Sequence, residues 1–391
     1  MHCAKKIGLN SSSGKGNGSN DAYIFSLQKS CDTSKIMCIS STQALDVYDP
    51  NTLECTLSAA NIHYDRVNCI EAHAYNPNII ATCSDDKWVK LWDLRIVSNT
   101  NANNASNIVS TSSNISKGNN SGMVLGLNMG IEVMDIALGG NNDNLLASTY
   151  SNVIRFHDVR FPVVGVGSNG VYNQGGVSST SLKLGEYGDV HTDDVNTIMF
   201  NPHNKWELLS GSEDGCLCVY DVSVNHKEQA VSSIMNTNCP IRKIGYFDPE
   251  QEGIYAFSTI ESASFWHASS ALSIKWEPSL REKYNVDYLI DNFYLQGDNY
   301  IFGGTYTGNA KLCLLDKPIT INMQNHHEDK EENENDDEII ISKKDTPLIF
   351  NNGHTEVIRT ALVLEYHNQK IQRMLTGGED GKIVLWDAKE F

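Results

Sequence analysis

The chain is predicted to be all-β, a seven-bladed β-propeller, on three observations. A short phrase recurs seven times, its copies are spaced close to one four-stranded unit, and apolar residues alternate with period two inside each copy. The phrase is an alternating strand that closes on an aromatic or aliphatic residue and then Asp. It reads ALDVYD to Asp49, WVKLWD to Asp93, VIRFHD to Asp158, CLCVYD to Asp221 and KIVLWD to Asp387. Two weaker copies, SASFWH ending at His267 and AKLCLLD ending at Asp316, complete the set. Period-two alternation predicts that each is a half-buried β-strand.

The copies end 44, 65, 63, 46, 49 and 71 residues apart. Three intervals sit near the ~40–45 residues of a four-stranded blade. Each of the other three holds a tract too polar to pack: Ser98–Ser121 with eight Asn and seven Ser, the Gly- and Ser-rich Val163–Ser181, and Met323–Asp345. These are predicted to be disordered insertions between blades. The repeats then fall at about 22–59, 60–97, 127–162, 188–225, 236–270, 286–317 and 353–391. The chain ends soon after Asp387, so the last blade lacks an outer strand. Residues 1–21 form an N-terminal arm in which His2–Leu9 is the candidate for that strand, with Ala22–Gln28 as the alternative. Either closure hides two sheet edges that would otherwise pair with other chains.

Composition narrows the function classes. A formal charge of −18 speaks against nucleic acid, which is gripped by clustered Lys and Arg, and against an anionic membrane. No apolar run approaches the ~18 residues of a spanning helix, and the N-terminus has no secretory core, which predicts a cytoplasmic or nuclear protein. The sequons at Asn104 and Asn114 are then accidents of an Asn-rich tract. The ten cysteines form no CxxC pair, Cys216 and Cys218 included, and read as reduced core thiols with no metal.

Three segments carry a longer pattern: His63, Thr82, Asp86 and Trp92; His191, Ser210, Asp214 and Tyr220; His354, Thr376, Asp380 and Trp386. In each, the hydroxyl lies four residues before Asp and the aromatic six after it. A single such set would suggest a hydrolase triad. Three copies, two with Thr for Ser and none on a GxSxG elbow, point instead to a structural chain in which Asp accepts from His, His meets the hydroxyl, and the hydroxyl meets the indole. Tyr220 is expected to place its own hydroxyl elsewhere. No catalytic residue, cofactor or metal site is predicted.

Two other motifs are weak. Gly165–Gly170 matches GxGxxG without the strand and helix that a dinucleotide site needs. His326 and His327 flank an acidic run, Glu328–Glu338, that reads as a solvated segment able to attract a basic partner.

The segments HTDDVNTIMFNPHNKWELLSGSEDGCLCVYD and GHTEVIRTALVLEYHNQKIQRMLTGGEDGKIVLWD resemble WD40 repeats, and the resemblance extends over the chain past the N-terminal arm. It implies a non-enzymatic, monomeric propeller acting as a scaffold for other proteins. LWDLR and FHDVR, which end at Arg95 and Arg160, are similar to the WDxR feature of propellers that serve cullin-4 ubiquitin ligases as substrate receptors through the DDB adaptor. An Arg at a fixed step beyond a rigid strand presents a forked donor on one rim.

Overall fold

A computed structural model describes residues 1–8, 22–97, 122–160, 183–224, 227–248, 252–295, 297–315, 347–367 and 370–388. The tracts 98–121, 163–181 and 323–345, and with them Gly165–Gly170, His326, His327, Glu328–Glu338 and both sequons, lie outside these residues, as does Asp316. The described chain forms seven four-stranded antiparallel sheets.

Strand β1 (His2–Gly8) precedes the first blade, which is β2 (Ile24–Lys29), β3 (Ile36–Ser40), β4 (Leu45–Tyr48) and β5 (Cys55–Ala59). Blade 2 is β6 (Val67–Ala72), β7 (Ile79–Ser84), β8 (Trp88–Asp93) and β9 (Met123–Asn128). Blade 3 is β10 (Ile136–Gly139), β11 (Leu145–Tyr150), β12 (Val153–Asp158) and β13 (Lys183–Tyr187). Blade 4 is β14 (Val195–Phe200), β15 (Glu207–Ser212), β16 (Cys216–Asp221) and β17 (Val231–Asn236). Blade 5 is β18 (Ile241–Phe247), β19 (Gly253–Ser258), β20 (Ala263–His267) and β21 (Ser273–Glu277). Blade 6 is β22 (Tyr288–Leu295), β23 (Asp298–Gly304), β24 (Ala310–Leu314) and β25 (Leu348–Phe350). Blade 7 is β26 (Ile358–His367), β27 (Lys370–Gly378) and β28 (Lys382–Asp387), with β1 as its outer strand. β1 pairs with β28 from His2↔Asp387 to Gly8↔Lys382, and Ile24–Lys29 is the inner strand of blade 1.

The strand order corrects the placement of the three polar tracts. Residues 98–121 fall between β8 and β9, 163–181 between β12 and β13, and 323–345 between β24 and β25. Each therefore separates the third and fourth strands of one blade and does not lie between blades. The recurring phrase ends with the third strand, while the outer strand beyond it carries little signal; LIF in blade 6 is only three residues long.

The phrase strands are also more buried than their alternation suggests. β4 is buried throughout, and β8 is buried from Val89 to Asp93, Lys90 included. The reason is the layering. Each sheet is sandwiched between two others, so alternate side chains enter different cores. Ile80 and Trp92 pack against blade 1, whereas Ala81, Cys83 and Leu91 pack against blade 3. Seven apolar clusters result, one at each interface between neighbouring blades, and the one joining Leu375, Ile383 and Leu385 to Ile24, Leu27 and Ile36 closes the ring.

The inner strands pack side by side around the centre. Six of them carry a register shift at the same place, as at Val67/Cys69 and Val195/Thr197. A bulge there turns one side chain toward the next blade. Asn68 Nδ2 donates to the Val133 carbonyl at 2.9 Å, Asn196 Nδ2 to that of Ile241 at 3.0 Å, and Arg242 Nη2 to that of Leu289 at 2.9 Å. The tight turns into the third strands need a left-handed residue, supplied by Gly215 (φ +80), Gly381 (φ +66) and, in blade 2, Lys87 (φ +73). All ten cysteines are free, but Cys31 and Cys55 are exposed, contrary to a uniform core role. Cys31 sits beyond the first inner strand and Cys55 opens an outer one, where no blade covers it.

Candidate functional site

The three His sets are brought together by the same geometry. Each His leads into an inner strand, its hydroxyl partner lies on the second strand, and its Asp lies on the following turn. In blade 2, His63 Nδ1 is 2.9 Å from Asp86 Oδ2 and Nε2 is 2.8 Å from Thr82 Oγ1, which accepts the Trp92 indole N–H at 2.9 Å. In blade 7, His354 meets Asp380 at 2.9 Å and Thr376 at 2.8 Å, and Trp386 donates to Thr376 at 2.8 Å. In blade 4, His191 lies 3.1 Å from Asp214 and 2.7 Å from Ser210. Tyr220 does not turn away as expected. Its hydroxyl lies 3.4 Å from Ser210 Oγ, so the phenol occupies the indole position with a longer contact.

The donors and acceptors fix one protonation pattern. If Asp accepts from Nδ1–H, then Nε2 accepts from the hydroxyl, whose oxygen receives the indole proton, and every group is satisfied once. Burial holds the His63 and His191 imidazoles below their ordinary pKa, against the pull of their Asp partners. Burial pushes the Asp86 carboxyl upward, but the bonds from His63 and from the Tyr64 and Trp88 amides outweigh it and leave it below the usual range. Neutral His beside charged Asp is the state this chain of bonds requires. Thr82, Ser210 and Thr376 are wholly buried, so the hydroxyls that a hydrolase would use are saturated and closed to substrate.

The incomplete blades show what happens when members are lost. Trp266 occupies the indole position in blade 5, but the hydroxyl position is Ala256, and the buried indole nitrogen has no partner among the described residues. Ala256→Ser is therefore expected to raise stability by ~1 kcal/mol, read from the urea midpoint. An unchanged midpoint would mean that a serine there cannot reach the indole.

Strand direction sorts the loops. Connections from first to second and from third to fourth strands leave one face, here the lower, and the others leave the upper face. Arg95 and Arg160 follow the third strands of adjacent blades on the lower face. Each folds back on the Asp two residues earlier: Arg95 Nη2 lies 2.6 Å from Asp93, and Arg160 pairs with Asp158 in the same way. The Arg side chains remain 62% and 75% exposed while those of their Asp partners are 11% and 20% exposed, so the Arg side chains face solvent. Nε and Nη2 are occupied, and Nη1 of each makes no hydrogen bond among the described residues.

The strand phrase did not reveal a second feature of this face. Asp143 closes the first connection of blade 3 and is almost fully buried. Its Oδ2 accepts from the Ala74 amide of blade 2 at 2.5 Å and lies 3.7 Å from His73 Nδ1, while Lys205 of blade 4 approaches Oδ1 at 3.5 Å. The Gly140 amide in turn donates to the Lys205 carbonyl at 2.7 Å. Three successive loops are thereby tied together. A stretch of Asn, Pro and His residues in scattered turns offers no sequence period to find.

Segments 54–93 and 184–221 match the family model described as WD domain, G-beta repeat. With seven four-stranded blades around a closed ring, the chain is a β-propeller in which two segments match WD40 repeats. It is similar to WD repeat-containing protein GTS1 of Arabidopsis thaliana, 24% identical over 99% of this chain and 86% of that one. It is also similar to the WD repeat-containing protein 89 homolog of Dictyostelium discoideum, 26% identical over 94% and 84%. A shorter stretch, 19% of this chain and 14% of the other, is 32% identical to the DDB1- and CUL4-associated factor 11 homolog of Caenorhabditis briggsae.

Proposed function

We propose that this propeller is a non-enzymatic platform for other proteins in the cytoplasm or nucleus. The observation that carries this reading is the contrast between its polar sets and its faces. The His, Ser/Thr and Asp groups are spent on one another inside the blades, whereas the loops turn Arg and aromatic side chains outward. Interfaces are enriched in those residue types. An enzyme built on the blade 4 set would lose activity but keep its thermal midpoint in Ser210→Ala. The platform reading expects the reverse order of effects, a stability loss of ~1–3 kcal/mol, because His191 loses its buried partner.

A more specific reading is a substrate receptor docked on a cullin-4 ligase adaptor. Arg95 and Arg160 support it, standing at the same step in neighbouring blades with Nη1 groups that make no hydrogen bond among the described residues, as does the short similarity to a DDB1- and CUL4-associated factor. The double variant Arg95→Ala/Arg160→Ala is expected to lose retention of purified adaptor in a pull-down while melting as the parent does. Undiminished retention rules this docking out.

A further inference from the structure

We infer that the lower face of blades 2–4 is a preformed docking surface for an acidic peptide segment carrying apolar side chains, with Tyr75 and Trp206 as its anchors. The inference deepens the platform reading and rests on it.

Tyr75 and Trp206 are 60% and 42% exposed, and unlike the exposed Trp276 and Tyr306 they sit on loops that are bonded to one another. They belong to one surface. Tyr75 follows Ala74, whose amide is bonded to Asp143, and Trp206 follows Lys205, whose carbonyl is bonded to Gly140. The first connections of three consecutive blades are thus a single bonded unit, with Tyr75 at one side and Trp206 at the other. Gly140, Asn142 and Asp143 all take left-handed conformations (φ +68, +53 and +53), which the loop adopts to bring the Asp143 carboxylate inward between its neighbours. Loops pinned in this way lose little freedom when a partner binds.

Charge selects the partner. Asp143, Lys205 and His73 are spent on one another, and the exposed residues of the three loops include Asn141, Asn142, Pro202, His203 and Asn204, none of them a carboxylate. Beside them lie the exposed side chains of Arg95 and Arg160, whose segments bond the same loops through Leu94 N–H to the Asn78 carbonyl and Val159 N–H to that of Asn144. The opposite face of the same blades exposes the carboxylates of Asp65, Glu132, Asp189, Asp193 and Glu213 against the cations of Arg66 and Lys87. On a protein of net charge −18, an acidic segment on the lower face of blades 2–4 meets carboxylates already paired to cations and two Arg side chains whose Nη1 groups make no hydrogen bond among the described residues. Aromatic side chains with adaptable Asn amides around them suit such a contact.

The test uses the full chain and fluorescein-labelled synthetic peptides of two kinds: fifteen-residue sequences of Glu with Leu and Phe, and the same sequences with Lys for Glu. Fluorescence anisotropy is expected to show binding of the Glu set, weakening with salt, and at least about tenfold loss in Tyr75→Ala and in Trp206→Ala. Both side chains are exposed, so the thermal midpoints should stay at the parent value. Binding that survives both substitutions overturns the inference and leaves the platform reading standing, as does preference for the Lys set, which would move the contact to the carboxylate-rich face. No binding of the Glu peptides at about millimolar concentration overturns it outright. The thermal midpoint and any activity of Ser210→Ala, a buried site away from this surface, report on the platform reading separately.

Discussion

Trp386→Ala is expected to destabilise the protein by ~3–5 kcal/mol, the range for removing a large aromatic from a closed core. Trp386 is fully buried between blades 6 and 7, edge-on to Phe350 at 5.2 Å, and lies opposite Cys3 of β1. Its loss opens a cavity beside the strand that closes the ring. Packing and hydrogen bonding can be separated here. Thr376→Val should cost ~1–3 kcal/mol, because it removes the partner of both His354 Nε2 and the Trp386 indole. Trp386→Phe keeps most of the apolar contact but strands nothing on the indole side. The double variant Thr376→Val/Trp386→Phe should therefore cost less than the sum of the two single changes, by at least ~0.5 kcal/mol. Urea unfolding of the four proteins measures the cycle. Additive effects would mean that the bonds through Thr376 are not coupled to the indole.

The propeller was legible because its blades repeat one local rule. A third strand ending in Trp-Asp or its variants recurs at a nearly constant step once three polar tracts are set aside, and the hydroxyl, Asp and aromatic positions around it keep fixed offsets that the fold brings within bonding distance. What stayed hidden lacked that periodicity. Outer strands such as Leu348–Phe350, in which only Phe350 is buried, carry no fixed pattern, so the sequence places the polar tracts between blades although each separates a third strand from a fourth. Lys90 reads from sequence as a solvent-facing member of an alternating strand, yet it is buried, with Nζ donating to the Ile62 carbonyl at 2.7 Å. Only the knowledge that both sheet faces are covered reveals it. Asp143 is farther still from any sequence signal, because its partners come from turns in two other blades. The exposed guanidinium groups of Arg95 and Arg160 were legible by position, but their return to Asp93 and Asp158 was not distinguishable from an outward reach until the loop geometry was known.

The second large effect is expected from His157 and appears only on acidification. His157 takes the indole position in blade 3, where the His and Asp of the other sets are missing, and it is buried with neither ring nitrogen hydrogen-bonded among the described residues. Burial, assisted by the positive Arg155 and Lys183, lowers its pKa to about 4. The folded state therefore holds the imidazole neutral, while the unfolded chain takes up the proton near the ordinary value of about 6.5. Because the unfolded state binds more protons in this interval, stability falls as pH drops from about 6.5 toward 4. The neutral group contributes fully above that window, and the loss approaches ~3 kcal/mol below it. His157→Phe fills the same space without a titrating group. The difference in unfolding free energy between this variant and the parent should be nearly constant above pH 7 and widen in the variant's favour by ~2 kcal/mol on reaching pH 4.5. Both proteins share the remaining titrating groups, so the difference isolates His157. A difference that stays flat from pH 7.5 to 4.5 would mean that the imidazole finds a proton acceptor in the folded blade.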